Sequence, residues 1–140
     1  MNWKLVLSLS LFGLAMGIAT VFVIPANVEP VFWLLIFAFC AYVIARRCAE
    51  KQFLHGLFVS LVNSVWITAA HLTFFDTYLA RHPREAEMSA SMSSPRLMML
   101  LMGPVVGLVS GLVLGLFAFV ASRFVSPRRA EPAPSTAKNA

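Results

Sequence analysis

Three polar side chains inside an apolar stretch are the first candidates for chemistry. Asn63, Ser64 and His71 lie in the segment from about 53 to 75. A helix turns by about 100° per residue, so Asn63 and His71 lie near one face of a helix through this segment. Neutral histidine exchanges protons near physiological pH. The preferred interpretation is that this face packs on another helix, because no buried Asp, Glu, Lys or Arg accompanies these residues. A polar pathway for a solute, ion or proton is the alternative.

A second group of side chains suits a soft metal. Imidazole and thioether groups bind Cu(I), and His71, His82, Met88 and Met92 fall in or beside one connecting segment. Their spacing repeats no metal motif, and methionine also fills apolar gaps. We therefore expect no bound metal, and keep copper handling as an alternative.

Enzymatic and cofactor chemistry is poorly supported by the remaining residues. His55 and His71 are separated by about 24 Å on one helix, so one chain cannot place both on a single haem iron. Cys40 and Cys48 form no CxxC pair and are too far apart for a disulfide on a helix. No glycine-rich phosphate loop, catalytic triad or pair of membrane carboxylates is present. We expect no cofactor and no enzyme.

Small residues at four-residue intervals predict close packing of helices. Such a pattern lets two helix backbones approach closely in a bilayer. One ladder, a glycine zipper, occupies the last apolar segment, a second occupies the third, and a shorter pair occurs in the first. Their members are Gly103, Gly107, Gly111 and Gly115; Gly56, Ser60, Ser64 and Thr68; and Gly13 and Gly17. We expect the two long ladders to pack against each other in antiparallel fashion. Gly13 and Gly17, or any uncovered face of a ladder, could then serve a homo-oligomer.

The elements that carry these residues are predicted to be membrane helices. The chain of 140 residues is 59% hydrophobic and 12% charged, about half the charged fraction of a soluble domain. The predicted fold is an all-α polytopic membrane protein, with four transmembrane helices in an antiparallel bundle formed by residues 1–125. The predicted spans are about 5–24, 30–46, 53–75 and 95–124. Residues 76–94 form the outer loop, with a short helix starting at Pro83, and residues 126–140 a disordered cytoplasmic tail.

Basic residues predict the orientation of these spans. With the N-terminus inside, eight of them fall on the cytoplasmic side: Lys4, Arg46, Arg47, Lys51, Arg123, Arg128, Arg129 and Lys138. The other side receives Arg81, Arg84 and Arg96. This asymmetry follows the positive-inside rule and places both termini in the cytoplasm. It also accounts for the net charge of +5 without nucleic acid. Tyr78, near a span end, is expected to be an interfacial anchor.

The sequence points to a class of protein rather than to one activity. No glutamate lies inside the first span, as in small multidrug exporters, and no cysteine pair occurs, as in membrane thiol oxidoreductases. The expected function is helix packing or partner binding in a bacterial inner membrane. Expected partners are the lipid bilayer, a membrane protein or a second copy of the chain. A transporter or channel component using Asn63, Ser64 and His71 is the alternative from a different class.

Overall fold

The computed structural model describes residues 1–125, which fold entirely into helices and short connections. The helices are α1 (Trp3–Phe22), α2 (Glu29–Arg47), α3 (Gln52–Thr73), α4 (Phe75–Arg81), α5 (Pro83–Ala90) and α6 (Pro95–Phe124). The all-α class is confirmed. The predicted disordered tail, 126–140, with Arg128, Arg129 and Lys138, lies outside the described residues.

Four of these helices are long and apolar enough to cross a membrane: α1, α2, α3 and α6. They correspond to the four predicted spans, with ends that differ by at most two residues. The predicted third span combines two elements, because α3 ends at Thr73 and a separate helix, α4, begins at Phe75. α5 begins at Pro83, the residue at which a short helix is predicted.

Local signals explain several helix ends. At α1, the Asn2 side chain accepts a hydrogen bond from the Leu5 backbone N–H, which is the usual role of asparagine at an N-cap. α2 and α6 each have proline in the first turn, where its missing N–H costs nothing. Ser94 precedes α6 at the N-cap position, but its side chain makes no capping hydrogen bond.

His55 connects the start of the chain to the start of α3. The Asn2 backbone N–H lies 2.9 Å from His55 Nε2, and His55 Nδ1 lies 2.8 Å from the Lys51 carbonyl oxygen. The carbonyl can only accept, so Nδ1 carries the proton and Nε2 accepts from Asn2. Both ring nitrogens are therefore used in holding the first residues against α3, and the role of His55 is structural.

The small-residue ladders of α3 and α6 face each other. A Cβ atom added to Gly56 would lie 2.7 Å from the Gly115 Cα, and one added to Gly111 would lie 2.8 Å from the Leu57 side chain. Further along, Gly107 and Gly103 lie against the hydroxyl groups of Ser64 and Thr68. Residue numbers rise along one helix as they fall along the other, so the two helices run in opposite directions at this contact.

Gly13 and Gly17, whose spacing suggested a homo-oligomer, are buried in a contact within the chain. A Cβ atom added to Gly13 would lie 2.7 Å from the Asn63 Cα, and one added to Gly17 would lie 3.1 Å from the Ile67 Cα. Both glycines therefore pack on α3 in the same chain. The missing side chains let α1 approach the polar face of α3 closely enough for a hydrogen bond to Asn63.

α3 is the central helix, because it packs along both α1 and α6, whereas α2 packs mainly on α6. We call the end of the bundle that holds residues 23–28 and 74–94 the loop end, and the opposite end, with residues 1–2 and 48–51, the terminus end. Val6, Ile44, Val59 and Leu114 are fully buried in one apolar core. This core joins all four long helices.

The outward faces of the long helices are apolar. Leu34, Leu35, Val65, Leu101 and Val109 are each about 60% exposed. A soluble monomer rarely exposes contiguous apolar surface of this extent. Such an apolar surface is suited to contact with lipid.

Candidate functional site

A crevice of about 660 Å³ lies between α2, α3 and α6 in the loop-end half of the molecule. It reaches from Glu29 and Tyr78 at the loop end to Ser60 and Ser110 near the middle of the helices. Beyond these serines α3 and α6 meet backbone to backbone at Gly56 and Gly115, so their contact closes the crevice toward the terminus end. The volume lies within the range of about 300–1,000 Å³ that is typical of small-molecule sites.

The wall from α3 contains every residue of the predicted polar pathway. Asn63, Ser64 and His71 all line the crevice, and Ser60 and Thr68 extend the same polar strip. The remaining lining residues come from α2, α6 and the loop end: Ala26, Glu29, Pro30, Trp33, Phe37, Ile67, Tyr78, Glu85, Met99, Met102, Gly103, Val106, Gly107 and Ser110. The polar face of α3 thus serves both packing and the crevice, two roles that helical spacing alone does not separate.

Asn63 has one satisfied and one unsatisfied end. Its Oδ1 accepts a hydrogen bond of 3.1 Å from the Gly13 backbone N–H. Its Nδ2 has no hydrogen-bond partner among residues 1–125, although the side chain is only 2% exposed. A buried amide donor without a partner costs free energy. Asn63 therefore holds a buried, unsatisfied amide group beside Gly13 of α1, at the depth of the middle of the membrane helices.

His71 is held from the side opposite the crevice. The Thr20 hydroxyl donates to backbone carbonyls of its own helix, those of Met16 and Gly17, and its oxygen lies 3.0 Å from His71 Nε2. Since that hydroxyl proton is already used, Nε2 is the donor and Thr20 the acceptor. In the neutral ring Nδ1 then keeps its lone pair.

Tyr78, which the sequence places near a span end, is buried between two histidines. The Tyr78 ring stacks on His71 with a centroid distance of 4.1 Å and on His82 with one of 4.2 Å. At these distances His71 and His82 must stack on opposite faces of the Tyr78 ring, because one face cannot accommodate both imidazoles. We call this group the ring stack. It attaches the connection between α3 and α6 to the mouth of the crevice.

His82 completes the ring stack. Its Nδ1 lies 2.9 Å from the Tyr78 carbonyl oxygen and is therefore the donor, while its Nε2 has no partner among the described residues. The side chain is only 1% exposed. His71 and His82 are thus about 8 Å apart across Tyr78, too far to share one metal ion.

The other two metal candidates lie outside the ring stack. Met88 is 56% exposed and Met92 is 38% exposed. Within residues 1–125 no three His, Cys, Asp or Glu side chains group closely enough to hold a metal ion. The two histidines among the four candidate ligands of the sequence, His71 and His82, are therefore not assembled into one metal site.

Two carboxylates at the mouth of the crevice are site residues that sequence reasoning missed. Glu29 begins α2 and accepts a hydrogen bond of 3.0 Å from Trp33 Nε1, and Glu85 lies on α5. Burial, and then the negative charges of Glu85 and Glu29, raise the pKa of Tyr78 to about 12. The spacing of Glu29 and Trp33, four residues apart at a helix start, is the signal that could have indicated part of this site.

The pKa of Tyr78 gives a direct test of this surrounding. The chain has only two tyrosines, so the variant Tyr42→Phe leaves Tyr78 as the only phenol. We expect its phenolate absorbance to develop near pH 12 instead of 10. The phenol is neutral in both folded and unfolded chains below pH 10. Its contribution to stability is therefore full there and is lost as the pH rises from 10 to about 12.

Two further variants separate the causes of that pKa. Glu85→Gln, in the Tyr42→Phe background, should move the Tyr78 titration to lower pH, because one of the repelling charges is removed. Glu87→Gln changes an exposed carboxylate on the same helix and is the control. Equal titrations in both variants would contradict the assignment of Glu85 to the surroundings of Tyr78.

Comparison with known proteins identifies no relative for this arrangement. No protein-family model matches the sequence, and no curated protein or solved structure shows significant similarity to it.

Proposed function

We propose that this chain is an integral membrane protein that binds a small solute in the crevice between α2, α3 and α6. The observation that carries the proposal is the crevice itself, with a polar wall from α3 at the depth of the middle of the membrane helices. Polar groups at that depth are costly unless they face protein partners or a water-filled cavity. Here Asn63, Ser64 and His71 line the crevice, and Asn63 and Ser64 are buried.

The proposed orientation places the crevice mouth on the outer side of a bacterial inner membrane. Basic residues at the terminus end are Lys4, Arg46, Arg47, Lys51 and Arg123, which supports a cytoplasmic terminus end under the positive-inside rule. The reversed contact order of α3 and α6 supports the antiparallel arrangement of the bundle. A solute would then reach the crevice from outside the cell.

Binding of a partner through the glycine ladders stays a prediction with less support. Each of the seven glycines packs against a side chain or backbone of the same chain. A role in transport remains the second candidate, and one observation favours it. The crevice lies in the loop-end half of the bundle, and the backbone contact of Gly56 with Gly115 lies between it and the terminus end, which is compatible with the one-sided access of a transporter.

Thiol accessibility tests whether the crevice is open to water. Ser110 lines the crevice, whereas its neighbour Val109 is 59% exposed on the outer face and does not line it. In the full chain in lipid nanodiscs, Ser110→Cys should react with a water-soluble methanethiosulfonate reagent at least about tenfold faster than Val109→Cys, because thiolates form in water and not in lipid. The native cysteines are both buried, so the unmodified chain supplies the blank.

Protection of the same thiol tests binding. We expect at least one member of a panel of water-soluble ammonium compounds, carboxylates, sugars and neutral aromatics to slow modification of Ser110→Cys in a saturable manner. Equal reaction rates at positions 109 and 110, or no protection by any member of the panel, would contradict the proposed function.

A further inference from the structure

We infer that the solute is a lipophilic organic cation, whose charge lies at Glu29 and Glu85 and whose apolar body lies between α2 and α6. This inference rests on the proposed function and names the ligand class of the same crevice. Three properties of the crevice point to a lipophilic cation: the charge of its lining residues, their aromatic and thioether side chains, and the length of the polar strip on α3.

The charge of the lining is negative. Glu29 and Glu85 line the crevice, and no lysine or arginine among residues 1–125 does. The arginine nearest to the loop-end start of α6, Arg96, is exposed, lies over the Phe75 ring and pairs with Asp76 at 3.8 Å. A cation at the mouth would therefore meet two carboxylates, whereas an anion would have to displace them without gaining a basic partner.

The negative charges of both carboxylates affect the same residue, Tyr78, at the mouth of the crevice. Burial is the main cause that raises the pKa of Tyr78 to about 12, and the negative charges of Glu85 and Glu29 each add to it. Glu29 is also oriented, because it accepts the hydrogen bond from Trp33 Nε1. The same field that disfavours a phenolate at Tyr78 favours a positive charge beside it.

Aromatic and thioether groups supply the apolar part of the site. Trp33 and Phe37 line the crevice from α2 and contact each other edge to face, with ring centroids 5.9 Å apart. Tryptophan is the strongest partner for a cation over an aromatic face. Met99 and Met102 line the opposite side from α6, and flexible thioether side chains adapt to apolar bodies of varied shape.

The polar strip of α3 suits a second feature of the ligand. From His71 to Ser60 the strip is about 16 Å long by helical rise. Ser60, Ser64 and Thr68 line the crevice along this strip, and their hydroxyl groups can form hydrogen bonds with a polar group that the cation carries.

A pair of probes that differ in the sign of the charge tests the inference. Tetraphenylphosphonium and tetraphenylborate have nearly the same shape and apolar surface, with opposite charges. We expect the full chain in nanodiscs to bind the phosphonium saturably in equilibrium dialysis, above the partitioning into empty nanodiscs, and to show no saturable binding of the borate. Ser110→Phe should abolish this binding by filling the crevice, whereas Val109→Phe, on the outer face, should not.

The carboxylates are tested with a matched double variant. Glu29→Gln with Glu85→Gln should weaken phosphonium binding by about tenfold, and glutamine at position 29 keeps an oxygen for the Trp33 hydrogen bond. Glu50→Gln with Glu87→Gln makes the same change of net charge at exposed carboxylates outside the crevice and should leave binding unchanged.

Each contrary result has a separate meaning. Saturable borate binding as tight as phosphonium binding, or equal losses in the two double variants, would overturn the inference of a cation while solute binding stands. Absence of saturable phosphonium binding would also overturn it. The proposed function would then depend on protection of the thiol at position 110, a measurement that uses neither probe.

Discussion

Replacing Gly56 by leucine should prevent α3 and α6 from packing together. A single Cβ atom at this position would lie 2.7 Å from both the Cα and the backbone nitrogen of Gly115, and 2.8 Å from the Leu114 carbonyl carbon. These atoms belong to the backbone, so no side-chain rotation can relieve the contact. The helices must separate, and since lipid provides no hydrophobic drive for association, the lost van der Waals contact along both ladders is not recovered.

The size of this effect can be graded by a smaller substitution. Gly56→Ala should lower the free energy of unfolding by about 1–3 kcal/mol, and Gly56→Leu by more, measured by denaturant unfolding in mixed micelles. Gly17→Ala should cost less than Gly56→Ala, because the nearest atoms to its added Cβ are 3.1 Å away. Val109→Ile, which adds a methylene group on the exposed face, should change stability by less than about 0.5 kcal/mol. Equal effects of Gly56→Ala and Val109→Ile would contradict the packing described here.

Replacing Tyr78 by alanine should release the connection between α3 and α6 from the mouth of the crevice. The ring fills the space between His71 and His82, and Tyr78 and His82 are both buried. Removing it leaves a cavity and exposes two imidazoles, for which we expect a loss of about 3 kcal/mol in the free energy of unfolding. Proteolysis within residues 74–94 should become faster, because the ring stack is what holds these residues.

A conservative variant separates the ring from its hydroxyl group. Tyr78→Phe keeps both ring contacts and should change stability by less than about 1 kcal/mol, with proteolysis as in the wild type. Tyr42→Ala removes a tyrosine that is 50% exposed and should also have little effect on proteolysis. If Tyr78→Ala were as resistant as Tyr42→Ala, the ring stack would not be what retains the connection.

The helices were predictable from the sequence because their signals are local. These signals are the long apolar runs, Pro30 and Pro95 in the first turns of α2 and α6, and the arginines that end α2. Each of them acts on its own segment. The break between α3 and α4 was not predictable, since the apolar character continues through Phe74 and Phe75. The helix that Gly13 and Gly17 contact was not predictable, because a small-residue pair predicts a close contact but does not say which helix makes it.

The candidate site was only half predictable for a similar reason. Asn63, Ser64 and His71 share one helix face, which can be predicted from the 3.6 residues per turn of an α-helix. Glu29, Trp33 and Glu85 come from two other helices, and Tyr78 from a third. Nothing in their spacing relates them to α3, since the chain brings them together only by folding.

The sequence alone determined the all-helical class, the four long apolar helices and the polar face of α3, because hydrophobic periodicity and composition act within each segment. The tertiary structure alone decided that α1 covers one side of this face, that α6 meets it closely at Gly56 and Gly115, and that a crevice remains beside it. It also decided that two carboxylates and the ring stack surround the mouth of the crevice. These features depend on which helices are neighbours, and that choice is made by shape complementarity between backbones from distant parts of the chain.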